Sequence, residues 1–167
     1  MKLLVAFLLL VAPSFAQGPL LVRLGGTWKL VSVEDTTKDG RTGPSQQFGA
    51  HPKGFLMYAS DGHMCATIAN GDRPAWKDPS KPTDAEKIEY YDTLIAYCGT
   101  FKYDPEHGIL THYPEVAWTP GYVGSTQVRP FKMEGDRLII TVTAGMEDIG
   151  VKKRVLVWKK AKQVDSD

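Results

Sequence analysis

The stretch GSTQVRPFKMEGDRLIITVT, residues 124–143, reads as two strands joined by Gly135-Asp136, a pairing that two-residue hairpin loops favour. With Glu134 opposite Arg137, the register puts Gln127, Arg129, Phe131 and Met133 on the same face as Leu138, Ile140 and Val142. The opposite face holds Val128, Pro130, Lys132, Ile139, Thr141 and Thr143. The first face is the more apolar and is expected to look inward, which carries an arginine and a glutamine inside with it.

Two further hairpins flank this one in the chain. Residues 54–68 turn at Asp61-Gly62; pairing Ser60 with His63 groups Phe55, Met57, Ala59, Met64, Ala66 and Ile68 on an apolar face and leaves His63 pointing outward with Leu56, Tyr58 and Cys65. Residues 99–103 pair with 109–116, with Phe101 and Tyr103 expected inside. A four-residue loop over 105–108 aligns Leu110 and His112 with them, whereas a bulge in that loop turns His112 outward. The first strand, TWKLVSVED at 27–35, has two mixed faces, so alternation does not orient it. Residues 38–51 read as an irregular connection or weak edge strand. In the final strand, 151–158, and the residues after it, Lys152, Lys153, Arg154, Lys159, Lys160 and Lys162 alternate with Val and Leu and read as a solvated face.

Residues 70–82, NGDRPAWKDPSKP, form a proline-rich loop whose exposed Trp76 suggests a flap over something apolar. Thr83 and Glu86 then make a capping box ahead of a helix to about Tyr97, with Ile88, Tyr91 and Ile95 on one stripe and Tyr90, Leu94 and Tyr97 beside it. About eight or nine strands separated by turn signals, with one helix, predict a mainly β fold: a closed antiparallel barrel over residues 25–160 with the helix inserted mid-chain.

Residues 1–16, MKLLVAFLLLVAPSFA, combine one lysine, a short apolar run and the small residues Ser14 and Ala16, which reads as a secretory signal peptide cut after Ala16. A secreted or periplasmic protein is therefore expected, with residues 17–24 as a short extension and 161–167 as a disordered tail. The leader's apolar run falls short of the roughly 20 residues a membrane span needs, and no later segment approaches it. Without Lys2, nineteen basic residues face nineteen acidic ones, which argues against a nucleic-acid partner. Cys65 and Cys98 have no metal-ligand spacing. An exported chain permits one disulfide between them, but with Cys65 on an outer strand face and Cys98 at a helix end they are expected to stay free. No G-x-S-x-G, P-loop, dinucleotide fingerprint or H-E-x-x-H occurs, so no cofactor or metal is expected.

Small barrels hold one ligand when incompletely filled, in sites that are mostly apolar with a few placed polar groups. Arg129, Gln127 and His112 suit that role, with Phe101, Tyr103, Phe131 and Ile140 as walls. The competing reading is that Arg129 merely pairs with a carboxylate such as Glu34, Glu115 or Glu147 or caps carbonyls at a barrel end, and that a buried His112 is merely hydrogen-bonded.

The ordered set Gly26-Thr27-Trp28-Lys29-Leu30-Val31-Ser32, residues 54–58 with Asp61-Gly62-His63-Met64, Tyr97-Cys98-Gly99-Thr100-Phe101, Thr111-His112-Tyr113, and residues 124–131 with Gly135-Asp136-Arg137-Leu138 resembles the lipocalin-like domain family over about residues 25–158. The resemblance implies an up-and-down barrel of eight or slightly more strands around a cavity for a small apolar molecule. The chain departs from the long-known secreted lipocalins in its mid-chain helix and in lacking their disulfide pattern. Some similar barrels in natural-product pathways act as cofactor-free cyclases or isomerases. Two functions are thus expected. The leading one is binding of a small apolar or amphipathic molecule, with Arg129 anchoring a carboxylate or enolate oxygen. The alternative is a cyclase or isomerase acting on a polyketide- or terpenoid-like substrate, with Arg129 or Gln127 polarising a carbonyl and His112 as candidate catalytic residue moving the proton.

Overall fold

Nine strands in the computed structural model form one antiparallel sheet that closes on itself. The structure describes residues 22–162; the expected signal peptide and all but the first two residues of the expected tail lie outside them. Among the described residues the strands are β1 (Gly26–Thr37), β2 (Thr42–Pro44), β3 (Lys53–Tyr58), β4 (His63–Ala69), β5 (Leu94–Asp104), β6 (Ile109–Ala117), β7 (Gln127–Glu134), β8 (Arg137–Val142) and β9 (Val151–Lys160), with the nine-residue helix α1 (Asp84–Asp92) between β4 and β5 and single helical turns elsewhere. Strands β1 and β3 to β9 pair in sequence order, β9 closes back onto β1, and β2 is an added edge strand on the second half of β1. The fold is an eight-stranded antiparallel barrel plus one strand.

The β7–β8 register is the expected one: Glu134 opposes Arg137, Phe131 opposes Ile140, and Arg129, Leu138, Ile140 and Val142 are buried. The β5–β6 hairpin also follows the four-residue loop, with Tyr103 opposite Leu110 and Phe101 opposite His112, so His112 points inward.

The β3–β4 hairpin differs by one residue. Tyr58 pairs with Met64 and Leu56 with Ala66, so Leu56 and Tyr58 are buried whereas Phe55 and Met57 face solvent. The loop holds three residues, not two: the Ala59 N–H donates to the His63 carbonyl and Gly62 takes φ 91°, the left-handed residue of a three-residue hairpin. A one-residue slip exchanges every side chain between faces.

The expected helix is also cut short. Its capping box is present, but it ends at Asp92 with Thr93 as its C-cap and buries none of its residues; Ile88 and Tyr91 are exposed. The chain from Leu94 onward, rich in β-branched and aromatic residues, joins the sheet instead. Cys98 consequently lies directly opposite Cys65 across the β4–β5 ladder, with Cα atoms 4.1 Å apart, and the two form a disulfide on the barrel's outer face. The expectation of free cysteines is overturned by this placement. Trp76 is half-buried rather than exposed: its ring packs at 5.2 Å from Tyr90 of α1 instead of covering the barrel.

In β1 the mixed alternation has a cause. A bulge at Val31, between the pairs Leu30–Trp158 and Ser32–Val157, resets the inward face from Trp28 and Leu30 to Val33 and Asp35. Strand β9 is not a uniformly solvated basic face either. Lys152, Lys153 and Lys159 are exposed, but Arg154 is buried beneath them, facing inward with Leu156 and Trp158.

The strand directions sort the connections to two ends. Turns 59–62, 105–108 and 135–136 lie at one end, which the residues before β1 close: Leu24 is fully buried, the Trp28 indole N–H donates to its carbonyl at 2.8 Å, and Lys160 donates to the carbonyls of Arg23 and Gly25. The longer segments, 38–52, 70–93, 118–126 and 143–150, gather at the other end.

Candidate functional site

A cavity of about 470 Å³ occupies the upper part of the barrel and reaches the end where the long connections gather. Strand residues Leu56, Ile68, Tyr97, His112, Arg129 and Ile140 form its sides, and Phe48, Trp118, Tyr122 and Met146 from the connections form its rim. Leu56, Ile68, Ile140 and Leu156 point into it because they sit on the inward positions of their strands.

Among the expected site residues, Arg129, Gln127, His112 and Ile140 line this cavity. Phe101, Tyr103 and Phe131 share the inner face but lie nearer the closed end as packing: Phe101 sits 4.6 Å from the Tyr58 ring and Tyr103 6.3 Å from Phe131.

Arg129 is 8% exposed and has no carboxylate partner among the described residues; the pairing with Glu34, Glu115 or Glu147 does not occur. Its guanidinium donates to the Val128 carbonyl (3.0 Å), the Tyr122 hydroxyl (2.7 Å) and Gln127 Oε1 (2.6 Å). Gln127 is oriented in turn by donating to Ser125 Oγ at 2.7 Å, and Ser125 donates to the Tyr122 carbonyl at 2.6 Å. Residues 122–129 thus form a closed circuit of neutral acceptors around one cation.

His112 is 1% exposed, and both its ring nitrogens are engaged: Nε2 lies 2.8 Å from the Tyr58 hydroxyl and Nδ1 2.8 Å from the Tyr97 hydroxyl. Burial, with the Arg129 charge adding to it, brings its pKa down to about 3 and keeps the imidazole neutral. Burial also pushes the Tyr58, Tyr97 and Tyr122 hydroxyls up, so all three keep their protons. Gly99 stands between Tyr97 and Phe101 on the inward face of β5, beside a bulge. A Cβ there would lie 2.0 Å from the Tyr113 carbonyl oxygen, so the close approach of β5 and β6 requires glycine.

At the rim, Arg154 makes a two-toothed pair with Asp35 (Nε to Oδ1 2.7 Å, Nη2 to Oδ2 2.8 Å) and donates to Gln47 Oε1 at 2.9 Å and Ser45 Oγ at 3.2 Å, with Phe48 beneath its guanidinium. Gln47 also donates to the Asp92 carbonyl, tying the rim to the end of α1. Arg154, Gln47, Trp118 and Ile149 separate the cavity from a second, more open hollow of about 770 Å³ bordered by β2 and Tyr91.

Tyr58, Tyr97, Tyr122 and Arg154 were not among the expected site residues. Tyr58 was lost to the hairpin slip and Tyr97 to the overlong helix. A findable signal was present for Arg154, since Val151, Leu156 and Trp158 flank it on a predicted strand.

A closed barrel that keeps an apolar cavity open at one end, with a few buried polar groups on its wall, is a small-molecule-binding β-barrel. Residues 25–161 match the lipocalin-like domain family, and the chain belongs to it. No curated protein matches the chain.

Proposed function

We propose that the protein binds a small, mostly apolar molecule in the barrel cavity, with Arg129 anchoring an anionic or strongly polarised oxygen at its polar end. One observation carries this reading: a buried guanidinium faces a ligand-sized cavity with no carboxylate in ion-pair contact among the described residues, Asp148 lining the same cavity without pairing to it. Burying a cation without a counter-charge is costly, and an incoming anion relieves that cost. Val128, Tyr122 and Gln127 take three of the five guanidinium N–H groups, so its donors are not all engaged by them.

Arg129→Met keeps much of the apolar bulk and removes the charge-assisted hydrogen bonds. Affinity for an apolar carboxylate such as decanoate, read by displacement of a fluorescent dye from the cavity, is expected to fall roughly ten- to hundredfold while the barrel still melts cooperatively. Unchanged affinity in that variant removes Arg129 from the site.

The catalytic alternative, with His112 moving a proton, has less support. A base whose pKa is down to about 3 is too weak to take a proton near neutrality, and both its nitrogens already have partners.

The same reading has the protein exported after cleavage behind Ala16. The Cys65–Cys98 bridge supports this, since such bonds persist in oxidising compartments. The intact mass of protein from its own source should lack residues 1–16 and be two hydrogens lighter than after reduction; a retained leader contradicts export.

A further inference from the structure

We infer that His112 is held as its Nδ1–H tautomer, so that the Tyr97 hydroxyl donates its proton into the cavity beside Arg129 and the site selects a ligand ending in a carboxylate or similarly anionic oxygen. This rests on the small-molecule reading above and adds to it a second donor and a chemical class.

A neutral imidazole donates from one nitrogen and accepts at the other. With a tyrosine hydroxyl 2.8 Å from each, the two tyrosines must play opposite roles. If Nε2 carried the proton, it would donate to the Tyr58 oxygen and Tyr97 would donate to Nδ1. The Tyr58 O–H would then need another acceptor. Tyr58 is fully buried against Phe101, does not border the cavity, and among the described residues has no hydrogen-bond partner for its hydroxyl except His112. That arrangement strands a buried donor, which native structures avoid.

If Nδ1 carries the proton, Tyr58 donates to Nε2, Nδ1–H donates to the Tyr97 oxygen, and the Tyr97 O–H is the one left to place. Tyr97 does border the cavity, where water or a ligand can accept from it. Tyr97 also packs 5.1 Å from the ring of Tyr122, the residue whose hydroxyl accepts from Arg129. The Tyr97 O–H and the unused Arg129 N–H groups therefore share one wall. Burial keeps Tyr97 protonated, so that wall presents donors beside the Arg129 charge. An ionised carboxylate accepts only and matches it, whereas an ammonium meets the like charge of Arg129 there and has only Asp148, elsewhere on the cavity lining, as a carboxylate.

The experiment has two arms. Histidine-selective ¹⁵N labelling with long-range ¹H–¹⁵N correlation reads the tautomer directly, the His112 signals being identified by their loss in His112→Gln. Nδ1 protonated is expected, and Nε2 protonated overturns the inference. In the second arm, decanoate and decanol each displace the cavity dye from wild type, Tyr97→Phe and Arg129→Met. Tyr97→Phe should weaken decanoate about tenfold and decanol less than about threefold. Equal weakening of both, or decanoate weakened by Arg129→Met alone, overturns the inference and leaves the binding reading standing. Decanoate binding indifferent to both substitutions removes Arg129 and Tyr97 from the site and sinks the Arg129-anchored reading itself, and the tautomer arm then decides on His112 separately.

Discussion

Replacing Asp35 with alanine is expected to destabilise the barrel by about 3–5 kcal/mol, because it leaves the buried Arg154 guanidinium without its counter-charge. For a domain of this size that corresponds to a fall in Tm on the order of 10 °C. The pair joins β1 and β9 at the seam where the barrel closes, and the same guanidinium holds Ser45, Gln47 and Phe48 over the cavity rim. Asp35→Ala should therefore also loosen the rim, seen as faster hydrogen exchange over residues 45–48. The double variant Asp35→Ala/Arg154→Met removes both charges and fills part of the space, so most of the lost stability should return. A single variant that melts within about 1 kcal/mol of wild type would show that the pair contributes little.

Acidification is expected to destabilise the protein well above the pH where carboxylates titrate. The folded state holds His112 neutral down to about 3, whereas the unfolded chain protonates it near its ordinary value of 6.5. Below that value the unfolded state binds the extra proton, so the stability contributed by a neutral His112 is full above about 6.5 and is lost as pH falls toward 3. The slope is about 1.4 kcal/mol per pH unit across the window, on the order of 4–5 kcal/mol in total. Carboxylates with depressed values, such as Glu86 at about 2, act in the same direction but only below their ordinary value of 4.5. Chemical denaturation between pH 6 and 5 isolates the histidine. His112→Gln should flatten the slope there, and a flat wild-type profile would rule out a buried neutral imidazole.

Gly135-Asp136 set the β7–β8 register as expected, and with it the inward positions of Arg129, Gln127 and Ile140. The loop over 105–108 left two registers open, and the four-residue one is present, which turns His112 inward. Asp61-Gly62 admits both a two- and a three-residue loop, and the choice moved Tyr58 between faces. The helix had a clear start in Thr83 and Glu86 but no glycine or proline to mark its end, so an aromatic stripe at helical spacing masked Tyr97 as a strand residue. One misplaced boundary therefore concealed both the disulfide and half of the His112 network. The Val31 bulge and the burial of Arg154 depend on pairing between the two chain ends, which local periodicity does not report.

The most direct test of a cavity-bound ligand anchored at Arg129 is a crystal structure of the protein with 12-bromododecanoate, located by the anomalous signal of its bromine. Bromine inside the barrel near Leu56 and Ile140, with the carboxylate on Arg129 and Tyr97, is the predicted result. Bromine in the outer hollow beside Tyr91, or a carboxylate that leaves Arg129 bonded only to Tyr122, Gln127 and Val128, would contradict it.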